Sequence, residues 1–189
     1  MSSIRAFVAI ELSDSLAAAL AETQRRLKDR APLPVRWTDP RGIHLTLKFL
    51  GDVDAGRMGA IEEAVTRAVA GTGPFRIALG ALGGFPTLAR PRVIWLGLEG
   101  DLPALERLQQ RVERELAPLG FPPEGRPFTA HLTLGRVREG GKRPATAGAW
   151  PDVADLRGVG QTVEGVSLMR SDLHPTGAVY TRLAAFPLR

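Results

Sequence analysis

From Ile4 to Leu12, apolar and polar residues alternate, which predicts a half-buried strand. Ser13 or Asp14 then offers an N-cap, and Leu16, Leu20, Thr23 and Leu27 recur at helical spacing to about Asp29. Ala31-Pro32-Leu33-Pro34 ends that helix. A short strand is expected over Val35–Thr38 and a clear one over Ile43–Leu50, stopped by Gly51-Asp52. Met58, Ile61, Val65 and Ala68 define one face of a second helix, about Asp54 to Ala70. Strands follow over Phe75–Leu82, broken by Gly83-Gly84-Phe85-Pro86, and over Val93–Leu98. A third helix is capped by Asp101, places Leu105, Leu108, Val112 and Leu116 inward, and has Gly120 past its end. Phe128–Val137, Val163–Arg170 and Ala178–Phe186 are the remaining strands, with His174-Pro175-Thr176-Gly177 as a turn between the last two. Paired strands between helices predict an α+β fold with mostly antiparallel sheets.

The pattern also contains a repeat. His44-Leu45-Thr46-Leu47 recurs as His131-Leu132-Thr133-Leu134, nearly half the chain away. This predicts an internal duplication with one copy per lobe, over residues 1–189 as one unit. Side chains two apart in a strand share a face. His44 with Thr46, and His131 with Thr133, are therefore expected to point into a cleft, while the leucines turn to the core. By the same parity Lys48 joins the face of His44, and Phe49 joins the leucines. Arg136 falls on the wrong parity and reaches the site only if the strand bulges, for which Gly135 leaves room.

Composition narrows the chemistry. With 44% hydrophobic residues among 189, a sizeable core is available. There is no cysteine, which excludes disulfides, thiolate metal sites and cysteine nucleophiles. No apolar run of about 18 residues is present, and the N-terminus reads as a strand rather than a signal peptide. A cytoplasmic protein without membrane contact is expected. The net charge of +5 suits polyanionic partners. The excess of arginine over lysine is also what a GC-rich genome produces, so charge alone does not settle for nucleic acid. The stretch with Arg138, Lys142 and Arg143 is read equally as a basic loop along an RNA backbone or as solvated surface.

Two of the three histidines occupy the repeat. Imidazoles titrate near neutral pH, so a neutral one takes a proton from an attacking oxygen while a charged one gives a proton to a leaving oxygen. Threonine hydroxyls bind non-bridging phosphate oxygens. This suits phosphodiester chemistry without metal or cofactor. The residues alone do not say which histidine is the acid.

With these features the sequence resembles the 2H phosphoesterase superfamily, and within it the RNA 2′,3′-cyclic phosphodiesterases, also called 2′-5′ RNA ligases. The resemblance rests on Arg5-Ala6-Phe7-Val8-Ala9-Ile10 and on His44 to Gly51. It continues in Gly84-Phe85-Pro86, Arg92 to Gly97, and Phe128 to Arg136, and ends with Ser167-Leu168, Ser171-Asp172-Leu173, Gly177 and Tyr180. Ala130 stands where the family commonly has proline. The resemblance implies a bilobed fold with a cleft between two sheets and helices outside. It implies metal-independent hydrolysis of RNA 2′,3′-cyclic ends to 2′-phosphomonoesters, with reverse ligation by the same groups. By resemblance His44 is the proton donor and His131 the acceptor, while Thr46, Thr133 and Arg136 hold the phosphate; Lys48 is added from strand parity. Expected partners are RNA with a cyclic phosphate end, tRNA fragments among them, or nucleotides, bound by a monomer. The alternatives are a phosphodiesterase for small cyclic nucleotides or ADP-ribose cyclic phosphate, and a non-catalytic RNA-binding module.

Overall fold

A computed structural model describes residues 3–30, 34–138, 150, 152–175 and 177–189. The helix-ending segment 31–33 and the basic loop over 139–149 lie outside the described residues. The elements run β1 (Ser3–Glu11), α1 (Asp14–Arg30), β2 (Val35–Trp37), β3 (His44–Asp54), α2 (Met58–Val69), β4 (Phe75–Phe85) and β5 (Val93–Gly100). They continue as α3 (Leu102–Leu116), β6 (His131–Val137), β7 (Gly160–Val163), β8 (Gly165–His174) and β9 (Gly177–Pro187).

Two antiparallel sheets result, ordered β3-β1-β8-β9 and β2-β6-β5-β4-β7. Each holds one copy of the repeated tetrapeptide at the start of its motif strand, β3 or β6. Among the described residues, sequence periodicity finds each α-helix and all strands but one. The exception is β7, of which only Val163 falls within the expected strand Val163–Arg170; Gly160 begins it, Gly165 begins β8, and it pairs with β4 from Phe75↔Val163 to Ala78↔Gly160. β4 also runs through the expected breaker Gly83-Gly84, because the lack of a side chain at Gly83 makes room for the Trp95 ring, which a Cβ there would meet at 2.2 Å.

The main core joins the helices to the leucine-bearing faces of both sheets. Leu16, Leu20 and Leu27 of α1, and Leu105, Leu108, Val112 and Leu116 of α3, are buried there together with Leu45, Leu47, Leu132 and Leu134. Capping fits the sequence signals: the Asp101 carboxylate accepts from the Ala104 amide at 3.0 Å, and Gly120 adopts φ 84° beyond α3. Among the described residues no helix is long and apolar enough to cross a membrane.

The sheets are tied across the chain's connections. The Thr38 amide donates to the Leu134 carbonyl at 2.9 Å, carrying the β2–β3 connection along β6 before the chain enters β3. At the other end Gln161 of β7 accepts from the Ser13 amide at 2.6 Å and donates to the Glu11 carbonyl at 2.9 Å. The helices exchange partners as well: α1 follows a strand of the first sheet but serves β6, and α3 follows a strand of the second but serves β3.

Candidate active site

Each tetrapeptide histidine is anchored by the same local bond. His44 Nδ1 lies 3.0 Å from the Gly42 carbonyl, and His131 Nδ1 lies 2.7 Å from the Thr129 carbonyl. A carbonyl only accepts, so Nδ1 carries the proton in both rings and Nε2 is left for chemistry. Both rings are half-buried, as are Thr46 and Thr133, whereas the leucines between them are buried. Strand parity therefore places histidine and threonine on one face of each motif strand, as expected.

Beyond the threonines parity fails, in the same way twice. In β3 the pairing with β1 steps from Ala9↔Thr46 to Val8↔Lys48, so Leu47 is an extra residue. In β6 the pairing with β5 steps from Trp95↔Thr133 to Ile94↔Gly135, so Leu134 is extra. These are β-bulges, and each turns the following residues by one face. Arg136 is thereby exposed on the side of His131 and Thr133, by the route its sequence context required. Phe49 takes the equivalent place beside His44 and Thr46 and is 62% exposed, not in the core as parity alone predicts.

The same bulge corrects Lys48. Its side chain is only 2% exposed and its ammonium is paired with the Glu113 carboxylate and donates to the Pro122 carbonyl at 2.8 Å. It sits in the core beneath the strand and is not placed to hold a phosphate. In β6 the corresponding residue is Gly135, where a Cβ would come within 2.6 Å of Val35 Cγ1. Strand β2 thus occupies the space that the Lys48 side chain fills in the other half.

Two buried glutamines support the bulges, and nothing in the tetrapeptides points to them. Gln109 of α3 donates to the Leu47 carbonyl at 3.4 Å and to Glu113 at 3.0 Å. Gln24 of α1 donates to the Leu134 carbonyl at 2.8 Å and to the Thr38 carbonyl at 2.7 Å. Each glutamine thus gives the carbonyl of the extra residue a donor from a helix, and the Leu134 carbonyl accepts from the Thr38 amide as well.

Aromatic rings seat both imidazoles. Phe7 stacks on His44 at 4.4 Å between centroids, and Tyr180 meets it edge-on at 4.8 Å. Phe85 meets His131 edge-on at 5.1 Å, with Trp95 at 6.0 Å. Burial pushes His44 down to about 4, against smaller upward pulls from the Gly42 hydrogen bond and the Glu11 carboxylate across the β1–β3 ladder. Among the described residues no three histidine or carboxylate groups are placed to hold a metal ion.

A family model of LigT-like phosphoesterases matches the chain twice, over residues 10–95 and 96–180. Each match contains one tetrapeptide, which is the duplication expected from the repeat. The RNA 2′,3′-cyclic phosphodiesterase of Methanothermobacter thermautotrophicus is 36% identical over 185 residues, covering 98% of this chain and 99% of its own. The crystal structure of TT0787 of Thermus thermophilus superposes with a TM-score of 0.82 at 33% identity, over 98% of each chain. That of E. coli LigT complexed with 3′-AMP gives 0.78 at 26% identity, over 99% of each.

Proposed function

Because the chain belongs to the LigT-like phosphoesterase family, we propose that it opens the 2′,3′-cyclic phosphate at an RNA end with His44 and His131 as its acid–base pair. The observation that carries this reading is the matched pair of imidazoles, each with Nδ1 held by a backbone carbonyl and Nε2 left for proton transfer.

In the proposed step His131 Nε2 takes a proton from water as the water oxygen bonds to phosphorus. The bond from phosphorus to O3′ breaks, and His44 Nε2 gives its proton to O3′. The products are a 2′-phosphomonoester and a 3′-hydroxyl. Thr46 and Thr133 donate to the non-bridging oxygens, and the Arg136 guanidinium offsets the charge that grows on them. His44 is uncharged near neutral pH on its own, because burial holds its proton affinity down. A phosphodiester anion against the ring raises that affinity, so the donor proton is taken up with the substrate. With a 5′-hydroxyl in place of water, the same transfers join the cyclic end to it: His131 takes the hydroxyl proton as O5′ bonds to phosphorus, the bond to O3′ breaks, and His44 protonates O3′.

The test is incubation of a 2′,3′-cyclic-ended RNA with the protein in EDTA, with the product identified. A 2′-phosphate is expected. A 3′-phosphate would reverse the leaving group, and activity that needs a divalent ion would contradict the two-histidine chemistry.

A further inference from the structure

Beside Arg136 lies a second arginine that the two tetrapeptides do not include. Strand β2 is the edge of its sheet, and its register against β6 is Val35↔Val137, Arg36↔Arg136 and Trp37↔Gly135. Directly paired residues of an antiparallel ladder share a face, with Cβ atoms about 5 Å apart. Arg36 and Arg136 therefore project side by side from the face that carries Thr133 and His131. Both are exposed. Neither has a carboxylate partner among the described residues, where the arginines that do pair with carboxylates all lie elsewhere.

Like charges directly opposite each other destabilise a sheet. Here the strands are also pressed together, because β2 packs against Gly135 so closely that a Cβ would lie 3.0 Å from the Arg36 carbonyl oxygen. Such a pair is stabilised by anionic groups bound against the guanidinium groups. The one polar partner of Arg36 among the described residues is the Pro175 carbonyl in the β8–β9 turn, at 3.3 Å. This contact carries the guanidinium toward the other sheet but leaves its charge unneutralised.

We propose that Arg36, beside Arg136, binds the backbone phosphodiester one nucleotide inward from the reacting phosphate that Arg136 holds, so that it recognises a polynucleotide rather than a mononucleotide. This rests on the cyclic-end reading above. Arg136 stands one position beyond Thr133 on the face. Arg36 stands one strand further out, about 4.8 Å away, and in this reading the next phosphodiester of a longer ligand lies against it.

The experiment titrates the wild-type protein and its Arg36→Ala and Arg36→Lys variants with two unreactive ligands, a short RNA ending in a 2′-phosphate and a nucleoside 2′-phosphate. For Arg36→Ala, affinity for the RNA is expected to fall about tenfold, and the slope of log affinity against log salt to shrink by about 0.7, one single-strand phosphate. Affinity for the mononucleotide should stay within about twofold, and Arg36→Lys should keep the wild-type salt slope. Unchanged RNA affinity in Arg36→Ala overturns the proposal. An equal loss for both ligands overturns it too, since it would make Arg36 a strap between the sheets or part of the reacting centre. Neither ligand turns over, so binding as expected by a protein that opens no cyclic end would keep Arg36 and discard the reaction.

Discussion

The two motif strands begin alike and end differently. In both, a histidine anchored to the carbonyl two residues before it is followed by a half-buried threonine and then a bulged leucine. In both, a buried glutamine from a helix bonds the bulged carbonyl. After the bulge β3 places Lys48 inward and Phe49 outward, whereas β6 places Gly135 inward and Arg136 outward. A duplicated backbone device therefore delivers an aromatic ring to one side of the site and a cation to the other. The scaffold is symmetric where it positions the two imidazoles and asymmetric in the side chains that follow the bulges.

The inward pair gives the largest expected contrast. Lys48→Ala leaves Glu113 buried without its cation and should lower stability by about 3–5 kcal/mol, read by denaturant unfolding. A Lys48→Met, Glu113→Leu double variant should recover most of that loss, since it removes both charges at similar volume. If Lys48→Ala is as stable as the parent and instead loses phosphate affinity, the inward placement is wrong.

The outward pair tests the chemistry. Arg136→Ala should lower kcat/KM on a cyclic-ended RNA by about 10²–10³, the scale of a group that stabilises developing charge. Phe49→Ala, at the equivalent position, should cost about tenfold or less and act mainly through KM. Equal losses at the two positions would erase the asymmetry.

Much of this was legible in the sequence, and the part that was not has one cause. The repeat fixes which strands matter, and period-2 parity correctly puts His44, Thr46, His131 and Thr133 on one side. Parity is a local rule, however, and a bulge is set by tertiary partners. Gly135 hints at one in β6, and so Arg136 is readable as a candidate. In β3 the corresponding residue is lysine, which looks like a phosphate ligand, and its burial depends on Glu113, far along the chain on α3. Gln24 and Gln109 were unreadable for the same reason: a glutamine on the inner face of an amphipathic helix gives no sign of which carbonyl it will meet. Arg36 is not legible in the sequence, because a three-residue edge strand has no pattern to fix its register.

The burial of His44 has a consequence that stability reports. The folded proton affinity of His44 is depressed, so between pH 6.5 and 4 the unfolded chain binds more protons than the folded one, and stability falls as pH falls through that window. The loss between pH 7.5 and 5 from this group should be about 2 kcal/mol, and His44→Gln should remove it. An unchanged pH dependence in that variant would mean the ring is not desolvated by its Phe7 and Tyr180 neighbours.

The most direct test of the claim that two tetrapeptides make one site is a double-mutant cycle on turnover of a cyclic-ended RNA in EDTA. His44→Ala and His131→Ala should each lower kcat by about 10²–10⁴. The double variant should be little worse than the poorer single one, because groups that act as a unit are strongly non-additive. A single variant within tenfold of the parent, or a double variant whose loss is the product of the two single losses, would contradict the account.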